Sequence, residues 1–316
     1  MNKIERVRAV LEGRKPDKIP AGFWYHYDEN FTVKEMTEAH LKTYRETNVD
    51  VYKIMQDYIQ KIDAVVKVPS DWKDVRFPGK SSPVFQSLLD VAKGILDATG
   101  HDAIAFQTMF GPLKTAVQTY GYDLVMEHCK QAPQLVADAV MRIAEAQTEW
   151  AAGFIEAGVD GLFYSGQFSE PGRFTKEEFD ILVKPGDLMV LEAAEKAGGT
   201  NLLHICGEPD YSYKSTPAWY VEYPFAIVNW SVKDTGIGLK EGKALFGGKP
   251  VLGGMDNRGY ILDGEDSQIV AAARASIESV GTMEGYMLGA DCTIQGNCIS
   301  NQKIAVAVET AHEYIK

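Results

Sequence analysis

Short apolar runs alternate with longer amphipathic stretches along the whole chain. The apolar runs have the length of β-strands, and several are continuous rather than alternating, which is typical of parallel strands covered on both faces. They predict eight strands, at about 19–25, 51–56, 103–107, 159–165, 201–205, 226–230, 250–254 and 285–289.

The stretches between these runs predict helices. Residues 133–158 carry apolar side chains at helical spacing. Residues 174–199 form a second such stretch, in which Thr175 and Glu178 have the spacing of an N-terminal capping box. Pro185 lies inside that stretch and should kink or split the helix, because proline lacks the backbone N–H that the helix needs.

Alternation of strand and helix over the full length favours one fold class, the (β/α)8 TIM barrel, in a single domain spanning 1–316. A doubly wound open sheet is the structural alternative. Two connections are unusually long, at about 58–102 and 207–225. Long connections in a compact domain are often functional, so both become candidates for the walls of a site.

Composition narrows the class of protein. The chain carries 32 Lys and Arg against 44 Asp and Glu, and its formal charge of −12 argues against a surface for nucleic acid or anionic lipid. Its N-terminus lacks the apolar core of a secretory signal, and no apolar run is long enough to span a bilayer. The four cysteines make no disulfide framework for a chain of this length. We therefore expect a cytoplasmic protein with reduced thiols.

Polar and reactive residues follow the predicted strands, where TIM barrels carry their active sites. In strand order these segments are Trp24-Tyr25-His26, Gln56-Asp57, Gln107, Ser165-Gly166-Gln167, His204-Ile205-Cys206, Asn229-Trp230, Gly254-Met255-Asp256-Asn257 and the segment from Gly289 to Cys292. Their common position predicts one site at the barrel mouth.

The sharpest of these segments is His204-x-Cys206. Residues two apart on an extended chain point to the same face, so an imidazole and a thiolate can converge on one ion. Zinc prefers such nitrogen and sulfur ligands, and catalytic zinc sites use three protein ligands with one open position. Cys292, just past the eighth strand, is the expected third ligand, and Cys298 is the weaker alternative. Glu208 or a water molecule would complete the coordination sphere.

A purely structural interpretation competes with zinc binding. Cys206 and Cys292 would then be small buried apolar residues, and His204 a hydrogen-bonded core histidine. The occurrence of all three at strand ends favours the metal. Cys129 lies in a helical segment away from these ends, so we assign it to packing.

The other strand ends supply candidate catalytic and binding residues. Asp57 is a general base, a partner for a substrate amine, or a solvated loop acid, and with His26 it forms the catalytic pair that we predict. Trp24 and Tyr25 either line an aromatic substrate pocket beside His26 or pack at the rim. Asp256 either contacts substrate or caps the next helix. The remaining predicted substrate-binding residues are Gln167, Asn229 and Trp230.

At these residues the sequence resembles the uroporphyrinogen decarboxylase superfamily over essentially the whole chain. The matching segments are NKIERVRAVLEGRKPDKIP, VDVYKIMQDY, GVDGLFYS, FTKEEFDILVKPGDLMVLEA, GGKPVLGGMDN and the segment around the eighth strand. The superfamily has a (β/α)8 barrel, so the resemblance implies the fold that the pattern predicts.

The superfamily contains two chemistries, and the sequence resembles one of them more closely. Asp57 falls where the decarboxylases have their catalytic aspartate. Their arginine motif R-Q-A-G-R should lie near 22–28, where this chain reads GFWYHYD and has no arginine. The other branch comprises zinc methyltransferases that work with corrinoid proteins, marked by H-x-C and a distant cysteine. His204, Cys206 and Cys292 match that pattern.

The resemblance therefore implies a zinc-dependent methyltransferase that exchanges a methyl group between a small substrate and a corrinoid (cobalamin) cofactor. The segment GFWYHY is similar to bacterial members that act on methoxylated aromatics. Because the chain lacks the D-x-H-x-x-G cobalamin motif, the corrinoid must arrive on a partner protein. The alternatives are a decarboxylase that uses Asp57 without metal and a non-catalytic barrel that binds a corrinoid or tetrapyrrole. The direction of methyl transfer stays open.

Overall fold

The computed structural model describes residues 1–296 and 299–314, and this part of the chain contains eight parallel strands. They are β1 (Ala21–Gly22), β2 (Val51–Ile54), β3 (Ile104–Phe110), β4 (Gly161–Gly166), β5 (Leu202–Ile205), β6 (Ile227–Trp230), β7 (Val251–Met255) and β8 (Tyr286–Ala290). Each lies within or overlaps a strand predicted from the sequence, although β1 is much shorter than its apolar run.

Helices occupy the intervals between the strands. They are α1 (Lys3–Leu11), α2 (Val33–Thr47), α3 (Pro83–Thr99), α4 (Pro112–Tyr120), α5 (Tyr122–Gln131), α6 (Pro133–Glu156), α7 (Lys176–Leu182), α8 (Lys184–Lys196), α9 (Val232–Thr235), α10 (Leu239–Leu245), α11 (Tyr260–Asp263), α12 (Asp266–Val280) and α13 (Asn301–Glu313). In the described residues, no helix has both the length and the apolar character needed to cross a membrane.

The stretch that the sequence predicted to kink at its proline is divided into two helices. Thr175 caps α7 and forms the expected capping box with Glu178. The break comes at Val183, and Pro185 then lies in the first turn of α8, where its missing N–H would have had no helical partner. Both parts of this prediction are confirmed.

The strands form one sheet in the order β1-β8-β7-β6-β5-β4-β3-β2. Between β1 and β2, the Asp50 N–H donates to the carbonyl oxygen of Ala21 (2.8 Å). The Ala21 N–H donates to the Asp50 carboxylate (2.9 Å). These contacts bring the first and last strands of the order together, which confirms the nearly closed (β/α)8 barrel and excludes the open sheet.

The two long connections contain local structure. The segment 58–102 includes a 3-10 helix, Pro69–Asp74, and the whole of α3. The segment 207–225 includes the 3-10 turns Pro209–Tyr211 and Pro217–Tyr220. Both long connections therefore contain regular secondary structure.

The barrel interior is filled from its amino-terminal end. Val7 and Val10 of α1 pack against Val51, Ile104 and other residues near the strand starts. This packing covers the amino-terminal end and leaves the carboxyl ends of the strands, where TIM barrels hold their chemistry, as the place for a site.

Candidate metal centre and its cavity

His204, Cys206 and Cys292 meet at the carboxyl end of the barrel. His204 lies in β5, Cys206 directly follows it, and Cys292 lies two residues past β8. One ligand atom from each of the three lies within 4.8 Å of the others. The Cys292 Sγ is 3.4 Å from His204 Nε2 and 3.9 Å from the Cys206 Sγ. One imidazole and two thiols are the donor set that zinc prefers.

Asn229 holds the imidazole of His204 in one orientation. Its amide nitrogen donates to the carbonyl oxygens of Leu252 (2.7 Å) and Ala290 (3.0 Å), so its oxygen must face His204. That oxygen lies 2.5 Å from His204 Nδ1. Nδ1 therefore carries the ring proton, and the lone pair of Nε2 points towards the thiols. Asn229 was predicted to bind substrate, but its fully buried side chain is committed to these contacts.

The two thiols influence each other's protonation. The hydrogen bond from Cys206 lowers the pKa of the Cys292 thiol, burial opposes this effect, and the ammonium of Lys53 adds to it. The same hydrogen bond and burial raise the pKa of Cys206. Because the thiolate is the form that binds metal, the arrangement favours Cys292 as the first thiolate of the pair.

A cavity of about 500 Å³ contacts these three residues. It also contacts the predicted residues His26, Asp57 and Gln167. Its further lining includes Lys53, Met55, Ile59, Thr108, Phe110, Lys114, Ser165, Glu208, Pro209, Tyr213, Asn257, Arg258 and Thr293. The cavity is therefore lined by both apolar and polar groups, as is typical of sites that bind small molecules.

His26 and Asp57 form a hydrogen-bonded pair at this cavity. The Asp57 carboxylate lies 2.6 Å from His26 Nδ1 through one oxygen and accepts the backbone N–H of Tyr27 (2.9 Å) through the other. The Asp57 side chain is 5% exposed and that of His26 is 52% exposed. A buried carboxylate thus orients an accessible imidazole, an arrangement suited to general acid and base chemistry.

Trp24 and Tyr25 do not form the predicted aromatic wall. Trp24 is buried inside the barrel, with its ring 6.4 Å from that of His204. Tyr25 faces away from the cavity, and its hydroxyl contacts the side chains of Thr43 (2.7 Å) and Asn301 (2.8 Å). Adjacent residues of an extended segment point to opposite sides, so the three neighbours could not share one face.

Two further substrate-binding predictions are corrected in the same way. Trp230 is 1% exposed and packs against Phe246 on the helical side of the sheet. Asp256 forms an ion pair with Lys233 and accepts the backbone N–H of Arg258 (3.0 Å), so it organises the loop after β7. Neither residue lines the cavity.

The other acidic and cysteine residues considered in the sequence analysis are not part of this cluster as described. The Glu208 carboxylate pairs with Lys114 (2.7 Å), and among the described residues it does not belong to the group of ligand atoms that lie within 4.8 Å of one another. Cys129 is buried in α5, and burial raises the pKa of its thiol to about 12, as expected for a packing residue. Cys298 lies outside the described residues.

Sequence reasoning missed Lys53, which lies inside the barrel on β2 and lines the cavity. Its Nζ is 3.9 Å from the centre of the Phe163 ring and 5.1 Å from that of Trp24. Burial lowers the pKa of Lys53 to about 8, against the opposing charges of Cys292 and Asp57. The available signal was a charged residue within the otherwise apolar run of a buried strand.

The family model of uroporphyrinogen decarboxylase (URO-D) matches residues 52–314. Among solved structures, a methyltransferase from Methanosarcina mazei is similar over 99% of this chain and 99% of its own, with a TM-score of 0.77 and 17% identity. A B12-independent methionine synthase from a Shewanella species is similar over 95% of this chain and 94% of its own, with a TM-score of 0.58 and 14% identity. No curated protein sequence matches the chain. At these identities the structural similarities establish the fold.

Proposed function

The chain belongs to the uroporphyrinogen decarboxylase family, and we propose that it is a zinc-dependent methyltransferase that moves a methyl group between a small substrate and a corrinoid on a partner protein. The observation that carries this proposal is the convergence of His204, Cys206 and Cys292 beside a cavity at the barrel mouth. The similarity to the Methanosarcina methyltransferase over the whole chain supports it.

The three residues fit a catalytic zinc ion better than a structural one. They supply three donors, which leaves one position for substrate, whereas structural sites use four protein ligands. His204 turns its Nε2 towards the thiols because Asn229 occupies its Nδ1. When bound, zinc would supply a Lewis acid that polarises an ether oxygen or holds a thiol acceptor as thiolate.

The chain's own residues contribute binding and proton transfer. Asp57 holds Nδ1 of the His26 ring, which leaves His26 Nε2 as the atom that can give a proton to a leaving oxygen or take one from an attacking thiol. Met55, Ile59 and Phe110 provide apolar lining for the substrate. These surfaces suit a flat ring, and a methoxylated aromatic is the substrate that we propose.

The direct test is methyl transfer with a reduced corrinoid protein. We expect methoxybenzoates or methoxyphenols to methylate the reduced corrinoid in a zinc-dependent reaction, and methylamines to methylate it more slowly. Simple thiols have no methyl group to donate, so they are tested as acceptors from the methylated corrinoid and should react more weakly. Reaction with the aliphatic compounds alone would contradict the aromatic assignment and leave the metal site intact. Binding of the corrinoid protein without transfer from any substrate would favour the non-catalytic alternative.

Uroporphyrinogen should give no coproporphyrinogen. A site for that substrate needs several cations to bind its many carboxylates. Arginine suits this best because it binds a carboxylate through two parallel hydrogen bonds. The only arginine in the described cavity lining is Arg258, and Asp234 already holds its Nη2 through both oxygens (2.6 and 2.7 Å). Turnover that survives removal of zinc would instead establish the decarboxylase alternative with Asp57.

Replacing Asn229 by alanine should weaken zinc binding by roughly ten- to a hundredfold, because groups that orient a metal-ligating histidine have effects of this size. Competition with a chromogenic chelator measures the change. Asn201→Ala is the matched control, since its buried side chain donates to Leu191 O (2.9 Å) just before β5 begins. Equal zinc affinity in the two variants would contradict the role of Asn229.

A further inference from the structure

Lys53 occupies an inward position that is otherwise apolar. Val51 and Lys53 of β2 and Met55, which directly follows it, alternate with Tyr52 and Ile54, and Val51 and Met55 pack in the interior of the barrel. Lys53 itself is only 7% exposed. An ammonium in such a place is costly unless an anion or an aromatic face compensates it.

The aromatic contacts compensate this charge only partly. The Phe163 and Trp24 rings lie near the ammonium, but in the described residues no carboxylate oxygen is within ion-pair distance of it. Of the anionic groups whose charges act on Lys53, Cys292 and Cys206 belong to the metal site, and Asp57 already accepts hydrogen bonds through both of its oxygens.

The other permanent cations of the cavity lining have partners. Lys114 pairs with Glu208 (2.7 Å), and Arg258 pairs with Asp234 (2.6 Å). Lys53 is therefore the cation of the described lining that has room for an anion supplied by a ligand.

The location of Lys53 relates that anion to the metal site. The Phe163 ring contacts both the Lys53 ammonium and the His204 ring. The centres of the Phe163 and His204 rings are 5.5 Å apart. A group bound by Lys53 would thus lie beside the three-residue cluster rather than at the outer rim of the cavity.

We propose that Lys53 binds a carboxylate of the substrate, and that this carboxylate lies close to the oxygen bearing the transferred methyl group. This inference deepens the proposed function and rests on it for the identity of the methyl-bearing atom. Lys53 then determines specificity, because it distinguishes anionic substrates from neutral ones of the same shape.

Binding of matched probes to the zinc-loaded protein tests the proposal without turnover. The probes are 2-methoxybenzoate with 2-methoxybenzamide, and methoxyacetate with methoxyacetamide, each measured by calorimetry. We expect the wild-type protein to bind each anion about tenfold more tightly than its amide, the effect of one charge-assisted hydrogen bond. Lys53→Met should bring both ratios near one, and Lys114→Met, which removes a paired ammonium from the same cavity, should leave them largely unchanged.

Two results would overturn the proposal: equal binding of anion and amide by the wild-type protein, or an anion preference that persists in Lys53→Met. If that variant does not fold, Lys53→Gln replaces it, and the wild-type ratio still decides. A preference confined to the aliphatic pair would retain the role of Lys53 and contradict the aromatic substrate. Failure of methyl transfer with an intact, Lys53-dependent preference would contradict the function while the carboxylate site stands.

Discussion

Replacing Cys206 or Cys292 by serine is expected to remove about one zinc ion per chain and to lower methyl transfer by roughly three orders of magnitude or more. The serine hydroxyl is a poor ligand for zinc, and each thiol is one of three donors that meet within 4.8 Å. Elemental analysis of protein purified without chelators measures the metal, and the corrinoid assay measures the reaction. The barrel should stay folded, because the cluster lies at the mouth and not in the core.

Cys129→Ser is the matched control for this experiment. Its thiol is buried in α5, and the substitution should cost about 1–2 kcal/mol of stability because it places a hydroxyl in an apolar site. Zinc content should not change. Loss of zinc from this variant to the same extent, or wild-type protein without zinc, would contradict the metal centre.

The sequence predicted the strands well because their apolar runs are continuous and bounded by polar residues. It predicted the three metal candidates because the carboxyl ends of all strands of a barrel lie at one mouth, which brings residues as distant in sequence as His204 and Cys292 to the same end. The resemblance to the family carried the same ligand set, and the family match is confirmed.

The predictions that failed assigned too many neighbouring residues to one face. Asn229 and Trp230 are adjacent in β6, so only one can point into the barrel, and the periodicity of the run does not say which. Lys53 was missed for a different reason. A charged residue in an apolar run was visible, but its contact with Phe163 and its place in one cavity with His204 and Cys292 come from strands that are distant in sequence.

The sequence predicted a closed barrel but not the side chains that close it. Asp50, just before β2, accepts hydrogen bonds from Arg6 (2.5 Å), from the Ala21 N–H (2.9 Å) and from His312 (2.7 Å). Its side chain is fully buried, and that of Arg6 is 8% exposed. One carboxylate thus joins α1, β1, β2 and α13 at the end of the barrel opposite the metal site.

Asp50→Ala is therefore expected to lower the free energy of unfolding by roughly 3–5 kcal/mol, since removing one partner of a buried pair leaves an uncompensated charge. Denaturant unfolding followed by circular dichroism measures this change. Asp17→Ala is the matched control: Asp17 also accepts a hydrogen bond from Arg6 (2.9 Å), but its side chain is 33% exposed. Its loss should cost about 1 kcal/mol or less, as is usual for exposed pairs.

The zinc content of the Asp50→Ala variant tests whether the contacts that close the barrel affect the metal site at its mouth. Folded Asp50→Ala protein should bind zinc as the wild type does, because the cluster depends on the positions of β5, β6 and β8 and not on the contact between β1 and β2. If the two variants lost similar amounts of unfolding free energy, the stabilisation would come from Arg6, the partner that both carboxylates share. The contacts of Asp50 with four elements would then add nothing. A much larger loss for Asp50 would identify that residue as the one that holds the first strand against the second.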